Sequence, residues 1–153
     1  MRLTVDTNVL VYALDRGEPT KRNIAAAILA AGPDLDFILT AQVLAEFISV
    51  IRRKRIGLFG DAVQQASHWA EVYPIIPTYG SVVVDAAVFA EQHKLQFWGA
   101  LIWKSAARMG ADVLLTEDLP DGLSLEGMEV LNPFNAANRE RLSDLLAASA
   151  ASV

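Results

Sequence analysis

The chain has 153 residues, 53% of them apolar and 20% charged, with a formal net charge of −5 and no cysteine. Such a composition belongs to one folded domain with a single sizeable core and excludes a disordered chain, a disulfide scaffold, a thiolate zinc site and a cysteine nucleophile. The charge is uneven: residues 1–55 hold 8 Lys/Arg against 6 Asp/Glu, whereas residues 56–153 hold 5 against 12. No apolar run approaches the roughly 18 to 20 residues of a spanning helix. The opening "MRLTVDTN" lacks the apolar stretch of a signal peptide, so a cytoplasmic protein is expected.

In chain order, "RLTV" reads as a short buried strand ending at Asp6, and Asn8–Leu14 and Thr20–Ala31 read as helices broken around Gly17 and Pro19. "DFILT" is a second strand, followed by a helix over Ala41–Lys54 with Thr40 as its N-cap. A helix over Asp61–Tyr73, an extended "YPIIPTYG" and a helix over Ser81–His93 capped by Ser81 come next. A helix from Gly99 to Met109 stops at Gly110, and it precedes the strands "DVLLTED" and "MEVLNP". Arg139–Ala148 is a last, Ala-rich helix, and the tail "LLAASAASV" is expected to fray past Leu146. Alternating strands and helices predict an α/β fold with a mostly parallel sheet, whose site lies beyond the carboxyl ends of the strands.

Acids stand at those ends. Asp6 closes the first strand and Asp118 closes "DVLLTED". Glu46, three residues after Val43 and four before Val50, lies on the core-facing stripe of its helix. An ionised carboxylate facing inward costs several kcal/mol unless it is paired, protonated or bound to a cation. No Lys or Arg lies close in sequence to Asp6 or Asp118, and oxygen ligands without Cys or paired His select Mg²⁺ or Mn²⁺. Either aspartate alone could equally be a turn residue or a helix cap.

The segments "VDTNVLVYALD", "ILTAQVLAEFISVI", "LQFWGALIWKSAARMGADVLLTEDLPDG" and "VLNPF", in this order, resemble the PIN-domain ribonucleases, and among them the VapC-like toxins of toxin–antitoxin pairs. The resemblance covers nearly the whole chain, 1–153, as a single PIN-like domain. It implies a three-layer α/β/α sandwich that cuts RNA with Mg²⁺ or Mn²⁺. By position it makes Asp6, Glu46 and Asp118 the metal-binding and catalytic carboxylates, with Asn8 and Thr116 as supporting neighbours. It further implies a homodimer and a VapB-like antitoxin partner. The family places an Asp after the Phe-Trp pair where this chain has Gly99, so weakened activity is expected. Gly99 is either a natural loss of that ligand or a replacement that silences the protein.

Arg52, Arg53, Lys54 and Arg55 form the densest positive run, which can serve the helix dipole or hold RNA phosphates, reinforced by Arg16, Lys21 and Arg22. His68 and His93 are expected at the surface. Trp69, Trp98 and Trp103 are expected in packing, and Glu117 and Asp121 as solvent-facing loop acids. The rival function is a catalytically inactive PIN-fold module that binds RNA or protein. A nucleotide-binding regulator fits poorly, because "DTN" stands where a glycine-rich phosphate loop would follow the first strand.

Overall fold

Two buried triplets, Leu-Thr-Val and Val-Leu-Leu, make the centre of the protein. In the computed structural model, which describes residues 1–148, β1 (Leu3–Val5) and β4 (Val113–Leu115) are buried at every position and pair in parallel, Leu3 opposite Val113 and Val5 opposite Leu115. Strands buried at every position suit a parallel sheet covered on both faces. β6 (Met128–Leu131) pairs in parallel on the far side of β4, and β5 (Ser124–Leu125) adds an antiparallel edge, giving the order β1-β4-β6-β5. A parallel ribbon of β2 (Leu39–Thr40) and β3 (Ile75–Ile76) joins the other side through a bridge from Phe37 to Leu3.

Among the described residues, seven α-helices flank this sheet in a three-layer α/β/α arrangement: α1 (Thr7–Tyr12), α2 (Pro19–Ala31), α3 (Ala41–Lys54), α4 (Phe59–Val72), α5 (Gly80–His93), α6 (Phe97–Arg108) and α7 (Arg139–Ala147). Local chemistry sets their ends. Pro19 opens α2, where a missing N–H is harmless. The Thr40 hydroxyl accepts from the Val43 N–H at 3.3 Å, as its role of N-cap requires. α6 closes with Gly110 at φ +75°, its N–H bound to the Ala107 carbonyl and that of Ala111 to the Ala106 carbonyl. That double bond pattern needs a left-handed residue, which Gly supplies. The core includes Phe47, Ile102, Leu114 and Met128, with Trp69 edge-on to Phe47 at 5.0 Å and Phe89 stacked on Trp103 at 5.9 Å. No helix among the described residues is long and apolar enough to cross a membrane.

Four details depart from the sequence reading. "DFILT" divides, because Phe37 pairs back to Leu3 while the Leu39 N–H turns to the Pro74 carbonyl at 3.0 Å. α5 starts at Gly80 with Tyr79 in the cap position, so Ser81 is not its cap. α6 starts at Phe97, which makes Gly99 its third residue rather than its first. The β5–β6 hairpin turns through Glu126 and Gly127, both left-handed at φ 51° and 82°. A Glu there hides a turn that Asn-Gly or Asp-Gly would announce. α7 ends at Ala147, and the tail over 149–153 lies outside the described residues.

Candidate functional site

The parallel register of β1 and β4 carries the chain from both strands out at one edge. The Asp6 N–H still donates to the Leu115 carbonyl at 3.0 Å, and the next residues diverge. Asp6 caps α1: its Oδ1 accepts from the Thr7 N–H at 2.6 Å and its Oδ2 from the Thr116 hydroxyl at 2.7 Å. The same Thr116 oxygen accepts from the Asp118 N–H at 3.0 Å, so one buried hydroxyl ties together the two acid-bearing segments. The Asn8 amide donates to Asp118 Oδ2 at 3.0 Å. Glu46 approaches from α3, half-buried, held by the Gln42 amide and by the Thr7 hydroxyl at 3.4 Å. All three acids line one open cavity of about 410 Å³ together with Thr7, Asn8 and Lys54.

The electrostatics follow from this crowding. Burial pushes the Asp6 carboxyl up to about 6, against the hydrogen bond from Thr116, and the charges of Asp118 and Glu46 add to the rise. Asp6 is only 8% exposed, whereas Asp118 is open to solvent. The Asn8 and Gln42 side-chain oxygens are buried with no hydrogen-bond donor. The three carboxylates make an all-oxygen donor set, the chemistry a hard divalent cation requires. The set is not drawn tight: among the described residues, no three His, Cys, Asp or Glu side chains stand close enough to hold a metal ion by themselves. Each acid instead rests on a protein donor, and Lys54 is the cation that shares the cavity.

Gly99 stands at the edge of this arrangement, half-buried in the first turn of α6. A Cβ built there would lie 3.2 Å from Leu119 Cδ2, a flexible side-chain end one residue beyond Asp118. The carbonyl of Trp98 accepts from the Gln42 amide at 3.0 Å, so the residue that holds Glu46 also anchors this turn. A carboxylate at position 99 is therefore sterically admissible. Gln42 escaped the sequence reading, although its place four residues before Glu46 on one helix is the signal that pairs them.

The other predicted residues scatter. Arg52 lies over the Phe59 ring at 5.5 Å, Arg53 is exposed, Lys54 enters the acid cavity, and Arg55, at φ 53°, turns into a separate cleft with Arg16 and Arg22. Lys21 does not join a phosphate rim: its ammonium lies 2.7 Å from Glu117 and 3.1 Å from the Tyr12 hydroxyl, over the Tyr12 ring. Glu117 is correspondingly not a solvent-facing loop acid, because Lys21 and Tyr12 both bind it. Asp121 is exposed and collects the Asn132 N–H and the amides of Asn135 and Asn138. His68 and His93 are exposed, and Trp69 and Trp103 are core residues. Trp98 is 56% exposed, so the packing role expected for it is not found within the chain.

The family model described as the PIN domain matches residues 3–119. No curated protein matches the chain. Among solved structures, it is similar to VapC20 of Mycobacterium tuberculosis, a sarcin–ricin loop cleaving toxin, at 16% identity over 73% of this chain and 86% of that one, with a TM-score of 0.60. It is similar also to a toxin–antitoxin complex from Klebsiella pneumoniae, at 18% identity over 86% and 97% of the two chains, with a TM-score of 0.61. VapBC2 of Rickettsia felis, bound to a DNA fragment from its promoter, gives 18% identity, coverage of 86% and 98%, and a TM-score of 0.60.

Proposed function

Because this chain belongs to the PIN-domain family, we propose that it is a cytoplasmic, metal-dependent endoribonuclease of the VapC kind, the toxin of a toxin–antitoxin pair, weakened at Gly99. The observation that carries this reading is the convergence of Asp6, Glu46 and Asp118 on one cavity from three separate segments. Repulsion among them and the burial of Asp6 leave a demand for positive charge that Lys54 alone meets in part. Asp6, Glu46 and Asp118 would hold Mg²⁺ or Mn²⁺, with Asn8 lining the same cavity. When bound, such an ion polarises a phosphoryl oxygen and lowers the pKa of water.

The chain's own residues supply position. Thr116 fixes Asp6 and the backbone of Asp118 from one hydroxyl, and Asn8 fixes the Asp118 carboxylate. Gln42 and Thr7 hold Glu46 against the same wall. Lys54, at the rim, is placed to attract a phosphate. The solved toxin–antitoxin assemblies of the same fold support a VapB-like antitoxin as partner, and the working form proposed for this single domain is a homodimer.

Mg²⁺-dependent cleavage of single-stranded RNA, compared before and after Gly99→Asp, tests the reading. Cleavage gained by the variant, and lost again on Asp6→Asn, is the expected result. No cleavage by either protein at any Mg²⁺ or Mn²⁺ concentration would leave a PIN-fold binding module that does not cut.

A further inference from the structure

A second concavity, of about 710 Å³, adjoins the acid cavity between the loop that follows α1 and the loop that joins α3 to α4. Arg16, Arg22 and Arg55 line it, and none of the three pairs with a carboxylate among the described residues. Two acids share its wall, but each has a local task. The Asp15 carboxylate accepts from the Gly17 N–H at 2.9 Å. Asp61 lies in the first turn of α4, where the helix dipole favours an acid. The three guanidiniums are therefore uncommitted. Asp15 and Ile56 line both concavities, so the surface passes from one to the other without a break.

We propose that Arg16, Arg22 and Arg55 form a backbone subsite that grips the phosphates of the RNA strand just outside the acid cavity. This rests on the nuclease reading for the identity of the strand, and it divides the basic residues by task. Guanidinium forks match phosphate oxygens two at a time, which a lysine cannot do. Arg55 reaches the cleft because α3 ends there in a left-handed residue, φ 53°, a conformation that an L side chain adopts only against resistance. The turn thus takes Arg55 away from the path of its neighbours and points it at Arg16 and Arg22. An acidic protein segment could meet the same forks. RNA is favoured because the cleft continues the cavity in which the proposed cut occurs.

The test is fluorescence anisotropy of labelled single-stranded RNA against the protein with its own Gly99, in chelator, over a series of salt concentrations. Each phosphate contact contributes about 0.7 to the slope of log affinity against log salt for a single strand. R16Q/R22Q/R55Q should lower affinity at least about tenfold at low salt and reduce the slope by about 2. A charge-matched K94Q/R108Q/R139Q variant should keep the parental slope. Arg55→Gly separates binding from folding: Gly suits the left-handed cap, so the variant should melt higher than the parent and still lose about 0.7 of slope. Equal losses in the cleft and charge-matched variants, or none in either, overturn the subsite. Loss of a polyglutamate peptide with RNA binding intact overturns it in favour of protein docking. Cleavage by Gly99→Asp alongside unchanged binding by the arginine variants would reject the subsite alone, and no RNA binding by the parent would reject the nuclease reading with it.

Discussion

Asp6→Asn should stabilise the cation-free protein at neutral pH and destabilise it slightly in acid. The Asp6 carboxyl is raised from 3.8 to about 6, first by burial and then by Asp118 and Glu46. A group raised in this way favours folding fully below about pH 3.8, and that contribution is lost as the pH climbs through about 6. The interval corresponds to ~3 kcal/mol by pH 7. Asn keeps an acceptor for the Thr7 N–H and offers a donor to Thr116 Oγ1, but the Thr116 hydroxyl loses its carboxylate acceptor. That loss costs about 1 kcal/mol. The variant should thus be about 2 kcal/mol more stable than the parent at pH 7 and about 1 kcal/mol less stable at pH 4. Urea unfolding in EDTA, followed by the fluorescence of the buried Trp69 and Trp103, measures the difference. The reasoning fails if the variant's advantage is the same at both pH values, or greater in acid.

Gly99→Asp should change stability by less than about 1 kcal/mol, since Leu119 can rotate away from the new Cβ, and should tighten Mn²⁺ binding at least tenfold in calorimetric titration. An unchanged dissociation constant would contradict a ligand role for position 99. Gly32→Ala should destabilise by about 2 kcal/mol, because a Cβ there meets the Tyr73 hydroxyl at 2.7 Å and would drive it from the Leu29 carbonyl, its partner at 2.5 Å. The midpoint of urea unfolding reports this. Lys21→Met should cost about 1 kcal/mol by breaking the pair with Glu117 and its seat on Tyr12, and the deficit should shrink in molar salt.

The acids at the strand ends were legible because a short strand buried on both faces holds only apolar residues and an occasional Thr, and the first charged letter after it marks the sheet edge. Asp6 and the segment of Asp118 follow that rule. Glu46 was legible from helical phase, and Gln42 could have been, by the same phase one turn earlier. The Lys21–Glu117 pair was not, because its partners are 96 residues apart and no local pattern joins them. "RRKR" misled in the opposite way. Successive helical residues point about 100° apart, so four adjacent cations cannot share one surface: one covers Phe59, one enters the acid cavity, and one turns into the arginine cleft. Trp98 lies in an apolar stretch yet projects outward, because the first turn of α6 meets the core through Phe97 and Ala100 and leaves Trp98 on the outer face.

The two bonds through which Thr116 and Asn8 knit the acid cavity together each span 110 residues. A growing chain that has passed through only its first three helices therefore exposes Asp6 without the strand that orients it. The cavity can take its final form only after β4 has been made and has docked beside β1. The three-acid cavity is therefore among the last parts of the fold to be completed as the chain is made.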